Sequence, residues 1–112
     1  MTDQANILHQ LMDVIEDRRQ NLPKNSYTTA LLNGGVEQIG RKITEEAQEV
    51  IEAAMETDAD GREHLIHEAA DLLFHLMVML GHAEIQLQEI ETELGRRFGV
   101  SGLEEKASRS EN

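Results

Sequence analysis

Two short acidic stretches carry the residue types in this 112-residue chain that could do chemistry. The first is Thr44-Glu45-Glu46-Ala47-Gln48-Glu49, and the second is His67-Glu68-Ala69-Ala70-Asp71-Leu72-Leu73-Phe74-His75. Each spaces two carboxylates three residues apart in a helix-period pattern, and side chains three apart share one helix face. Packed side by side, two such helices would aim four carboxylates at one point. Carboxylates brought within a few ångströms repel one another strongly, so the group must either hold protons or bind cations. Oxygen-only ligands with retained water suit Mg²⁺ or Mn²⁺, whereas Ca²⁺ asks for more ligands and usually a loop. The competing reading is a solvated acidic face, which is what one Glu-x-x-Glu pair alone would mean.

The elements that must position these residues are helical. Only Pro23 interrupts the chain as a proline, and no stretch alternates for long with a strand's period of two. An all-α bundle of about four to five helices is the natural reading. A first helix is predicted from about Asp3 to Arg19, burying Ile7, Leu8, Leu11, Val14 and Ile15. Asn21, Pro23, Asn25 and Ser26 form a linker, with Ser26 the N-cap of a short helix from Tyr27 to Leu32 that Asn33-Gly34-Gly35 ends. A third helix from about Val36 to Glu56 carries Val36, Ile39, Ile43, Ala47, Val50 and Ala54 on its apolar stripe. After a turn at Asp58-Ala59-Asp60-Gly61, a fourth from about Arg62 to Gly81 buries Leu65, Ala69, Leu72, Leu73, Leu76 and Leu80. The last, about Leu87 to Phe98, places Leu87, Ile90, Leu94 and Phe98 at helical spacing before Gly99. Residues 1–100 read as one domain, and 101–112 as a polar tail.

A helical wheel sorts the acids. Lys42, Glu46 and Glu49 fall on one flank of the third helix's apolar stripe, while Glu45 and Glu52 point elsewhere. His64, Glu68, Asp71 and His75 line a comparable flank of the fourth. His75, one turn beyond Asp71, is a candidate to orient it from behind. Lys42 stands where it could meet a phosphate, or simply pair with Glu46 one turn on, an interaction of a few tenths of a kcal/mol. Arg41 lies further round the helix, and Lys24 sits in the linker.

Bulk composition narrows the rest. A formal charge of −12 argues against nucleic acid or an anionic membrane as partner. The absence of cysteine excludes disulfides, thiolate metal sites and cysteine nucleophiles, and fits the cytoplasm. No apolar run nears the ~20 residues needed to span a bilayer. The opening Met-Thr-Asp-Gln-Ala-Asn is not signal-like, so no export is expected. With aromatics at only 3%, aliphatic side chains must fill the core. Ile51, Ile66 and Met77 lie outside the main stripes, which predicts a homodimer completing the bundle.

At the acidic stretches the sequence resembles a known superfamily. Glu45-Glu46-Ala47-Gln48-Glu49 followed by Glu68-Ala69-Ala70-Asp71 is similar to the E-E-x-x-E … E-x-x-D signature of the all-α nucleoside triphosphate pyrophosphatases. Ser26-Tyr27-Thr28, the Glu68-to-His75 run, Arg96-Arg97-Phe98-Gly99 and the segment from Ser101 to Arg109 resemble the phosphoribosyl-ATP pyrophosphatase family of histidine biosynthesis. The resemblance spans about Ile7 to Arg109. Thr44 departs from it, standing where the family usually has Gly. The resemblance implies Mg²⁺-dependent hydrolysis of phosphoribosyl-ATP, with Mn²⁺ a possible substitute. It implies Glu46, Glu49, Glu68 and Asp71 as metal ligands, with Glu45 taking a second metal or orienting water. Lys42, Arg41 and Lys24 would hold phosphates, and Ser26, Tyr27, Thr28 and His75 would border the substrate. A cyclohydrolase domain, fused to this enzyme in some relatives, is expected to be a separate protein here. The alternatives are a pyrophosphatase acting on non-standard nucleoside triphosphates and a non-enzymatic acidic interaction module. A carboxylate di-iron bundle is discounted, because no Glu here has His three residues on.

Overall fold

Two long helices, joined by a three-residue link, hold both acidic stretches. In the computed structural model, which describes residues 7–99, the order is α1 (Ile7–Asn21), α2 (Tyr27–Met55), α3 (Ala59–His82) and α4 (Leu87–Phe98). Among the described residues there is no strand, and the all-α expectation holds. The predicted start of the first helix at Asp3 and the polar tail lie outside the described residues. No helix among them is long and apolar enough to cross a membrane.

The predicted second and third helices lie within the range of α2 and meet, as expected, at a kink, which falls at Gly35. Gly35 has φ 71° and ψ −166°, a backbone that only glycine adopts without strain, and the helix resumes directly after it. Ser26 caps α2 as its composition suggested, its Oγ accepting from the Thr29 amide at 3.2 Å. Asp58 is the N-cap of α3, accepting from the Gly61 amide at 2.9 Å. Ala59-Asp60-Gly61 is therefore the first turn of α3, not a separate loop. α3 ends in a Schellman motif, with the Ile85 amide on the Leu80 carbonyl and the Glu84 amide on that of Gly81. Glu84 takes the left-handed position there, at φ 58°.

α2 and α3 run antiparallel along their length, since Gly40 meets Met79, Glu46 meets Glu68 and Gly61 meets Glu56. α1 lies across this pair. Ile15 is fully buried and seats its Cγ2 2.6 Å from where a Cβ on Gly81 would stand. The core comprises Met12, Ile15, Leu31, Leu32, Ile39, Met77 and Val78. α4 touches α1, where His9 Nε2 meets Glu91 Oε2 at 2.9 Å.

The buried faces differ from the predicted stripes. On α1, Ile7, Leu8 and Val14 are exposed, and Met12 with Ile15 makes the contact, because the helix is turned to fit Ile15 against Gly81. Val36 and Ala54 on α2 are exposed, as are Leu73 and Leu76 on α3 and Leu94 and Phe98 on α4. Ile51 and Ile66 are exposed as expected, but Met77 is in the core.

Candidate metal and active site

The buried positions between α2 and α3 recur every seven residues: Ile39, Glu46 and Ala53 on one helix, Gly61, Glu68 and His75 on the other. A seven-residue repeat keeps one seam facing its partner helix. Three of the six seam positions therefore carry polar side chains where apolar ones would be expected. Glu46 is 6% exposed and Glu68 7%. Both are deeper than the flanking position that the helical wheel suggested.

Ligand atoms of Glu46, Glu49 and Glu68 all lie within 4.8 Å of one another. A second group, His67, Glu68 and Asp71, meets the same distance and shares Glu68. Glu49 is exposed and Asp71 half-buried, so the seam opens toward solvent on this side. The Oε2 atoms of Glu46 and Glu68 are buried without a hydrogen-bond partner. Leaving them so as two anions would be costly. The Glu68 carboxyl is pushed up to about 7, first by the neighbouring Glu49 carboxyl, then by burial and by Glu46. Such a group accepts either a proton or a divalent cation, and its donors are the hard oxygens that Mg²⁺ takes. The residues fit that ion.

Lys42 borders the cluster. Its Nζ is 3.2 Å from Glu45 Oε2 and 4.0 Å from Glu46 Oε1, and the hydrogen bond to Glu45 leads the effects that raise its pKa. The pairing expected with Glu46 is thus mainly one with Glu45, which is exposed and joins neither carboxylate group. Arg41 and Lys24 are exposed. Thr44 is exposed too, and its hydroxyl donates to the Gly40 carbonyl at 3.0 Å, so it does not narrow the site.

His75 is buried and its partners differ from those expected. Nδ1 meets the Asp71 backbone carbonyl at 2.8 Å, and Nε2 meets the Tyr27 hydroxyl at 2.9 Å. It orients the ring of Tyr27 and leaves the Asp71 carboxylate to His67. Tyr27 also stacks on Phe74, with ring centroids 6.2 Å apart. Thr28 is half-buried beside it. A separate cleft of about 440 Å³, lined by His9, Arg19, Glu84 and Gln88 among others, shares no residue with the carboxylates.

His64 and His67 were hard to single out by type, yet both stand against the cluster. His64 Nε2 lies 3.5 Å from Glu68 Oε1, and His67 Nε2 3.3 Å from Asp71 Oδ2. The signal was their spacing, one turn before Glu68 and Asp71 respectively.

Comparison with known proteins gives a consistent result. The sequence profile of the phosphoribosyl-ATP pyrophosphohydrolase family matches residues 8–98. A phosphoribosyl-ATP pyrophosphatase of Rhodopirellula baltica is 55% identical over 91% of this chain and 85% of its own length. Proteins of the same name from Geobacter sulfurreducens (46% identity, 99% of this chain, 100% of theirs) and Nitrosomonas eutropha (45%, 100% and 93%) align end to end.

Proposed function

The chain belongs to the phosphoribosyl-ATP pyrophosphohydrolase family, and on that footing we propose that it hydrolyses 1-(5-phosphoribosyl)-ATP between its α and β phosphates. The products are 1-(5-phosphoribosyl)-AMP and pyrophosphate, an early step of L-histidine biosynthesis. The observation that carries this reading is the meeting of Glu46, Glu49 and Glu68 across the α2–α3 seam, with two buried carboxylate oxygens left unpartnered.

Glu46, Glu49, Glu68 and Asp71 would hold Mg²⁺, with Mn²⁺ able to replace it. When bound, the ion offsets charge on phosphate oxygens and lowers the pKa of a water. The remaining roles belong to the chain itself. Lys42 exchanges its contact with Glu45 for a substrate phosphate, and Glu45, so released, is placed to orient water. Arg41 and Lys24 add charge at the rim. The exposed face of Tyr27, fixed by His75, borders the substrate beside Ser26 and Thr28.

A homodimer completes the molecule in this reading. On α3, Ile66, Leu73 and Leu76 are 58%, 46% and 43% exposed and share one face, while Ile51 and Met55 are exposed on α2. A face this apolar is covered in stable proteins. A second copy supplies the matching surface by two-fold symmetry. The lack of cysteine suits a cytoplasmic enzyme.

The test is pyrophosphate release from phosphoribosyl-ATP with and without Mg²⁺, compared with ATP, dCTP and dUTP. Glu49→Gln and Asp71→Asn should each lower the rate by on the order of 100-fold or more, exceeding the usual loss from an outer-shell change. Preference for a simple nucleotide would overturn the substrate, and full activity in both variants would overturn the site.

A further inference from the structure

The two histidines beside Glu68 stand differently toward it. In His64 both ring nitrogens face carboxylates, with Nδ1 2.5 Å from Glu56 Oε2 and Nε2 3.5 Å from Glu68 Oε1. This ring is thus held between two acids, one on each nitrogen.

His67 has one such neighbour. Its Nε2 lies 3.3 Å from Asp71 Oδ2, and its side chain is 71% exposed. One ligand atom from each of His67, Glu68 and Asp71 lies within 4.8 Å of the other two. Glu68 is 7% exposed, and its Oε2 has no hydrogen-bond partner. A cation at this point would meet the carboxylates of Glu68 and Asp71 and an imidazole nitrogen of His67. The donor set is one nitrogen and two carboxylates, next to the all-oxygen group of Glu46, Glu49 and Glu68.

We propose that His67 Nε2 is a nitrogen ligand of a divalent cation held by Glu68 and Asp71, and that it shifts this lobe of the site from Mg²⁺ toward later first-row ions. The proposal rests on the metal reading above. Mg²⁺ gains little from exchanging an oxygen donor for imidazole. Co²⁺ and Zn²⁺ bind imidazole well, and affinity rises from Mn²⁺ to Co²⁺ at a given site.

Mn²⁺ serves as the probe, added at one equivalent to the untagged, metal-free protein at about pH 8, above the ordinary imidazole range. Pulsed EPR is expected to show ¹⁴N modulation from a bound imidazole in the wild type. The modulation should persist in His64→Gln and vanish in His67→Gln. By calorimetry, the ratio of Co²⁺ to Mg²⁺ affinity should fall by on the order of tenfold in His67→Gln. Stoichiometric Mn²⁺ binding without nitrogen modulation, or with modulation that survives His67→Gln, overturns the proposal and leaves the carboxylate site standing. Failure of the wild type to bind Mn²⁺ stoichiometrically overturns both.

Discussion

The Tyr27 hydroxyl donates to His75 Nε2 across 2.9 Å, although the two residues are 48 apart in sequence. The direction follows from the other side of the ring. The Asp71 carbonyl can only accept, so Nδ1 donates to it, and in that tautomer Nε2 is the acceptor. Tyr27→Phe removes the donor and leaves a buried ring nitrogen unpartnered, which is expected to cost about 1 kcal/mol in urea unfolding. If Tyr27 borders the substrate, KM should rise in the same variant with kcat less affected. An unchanged unfolding midpoint would show that the bond adds nothing to stability.

Glu68 makes stability depend on pH in an unusual direction. Its folded pKa is raised to about 7, so between the ordinary carboxylate value and 7 the folded chain holds a proton that the unfolded chain has released. That contribution is complete at acid pH and is lost as pH rises through 7. The thermal midpoint of metal-free protein should therefore fall between about pH 4.5 and about pH 7 and level off above it. Glu68→Gln is expected to flatten that part of the profile. Parallel profiles for the two proteins would show that general acidic repulsion, not this carboxyl, sets the slope.

Excess Mg²⁺ should reverse that fall by binding the folded state, adding stability in proportion to the logarithm of its concentration over Kd. The effect is expected at about pH 8 in the wild type and much reduced in a Glu46→Gln, Glu68→Gln double variant. An equal rise in both would point to non-specific screening.

Glu84 occupies the left-handed position that closes α3, at φ 58°. A side chain there costs roughly 1–2 kcal/mol relative to glycine. Glu84→Gly is expected to recover about 1 kcal/mol, less the small loss of a 3.8 Å contact with Arg19. Differential scanning calorimetry would register a midpoint higher by several degrees. A lower midpoint would mean that the ion pair outweighs the backbone strain.

The exposed α3 face gives the last prediction. Ile66→Glu with Leu73→Glu should convert a dimeric mass in light scattering into a monomeric one. A monomeric wild type would remove the premise.

How far these features were legible in the sequence depended on what each residue needed to know. Leu87 to Phe98 was read with the right ends, because Gly99 stops a helix whose apolar spacing is local information. The break at Gly35 was also visible, although composition suggested a gap where the backbone departs for one residue only. Leu73 and Leu76 were assigned to the core because they are apolar, but a hydrophobic stripe says that a face wants covering, not what covers it. The carboxylates were found by their spacing. Their depth was not, since burial of Glu46 and Glu68 follows from the seven-residue seam and not from hydropathy. His75 was read toward the Asp71 side chain because i and i+4 share a face. Its choice of the backbone carbonyl and Tyr27 depends on a distant segment that no local pattern reveals.

The three-residue link between α2 and α3 bears on folding kinetics. Closing a hairpin across so short a connection costs little chain entropy, and contacts near in sequence tend to form early. The acids of both helices are therefore expected to meet in the first events of folding, ahead of the docking of Ile15 on Gly81. Their mutual repulsion then weighs on the rate at which the chain collapses as well as on its final stability. A divalent cation present during refolding is expected to speed assembly by offsetting that repulsion as it binds.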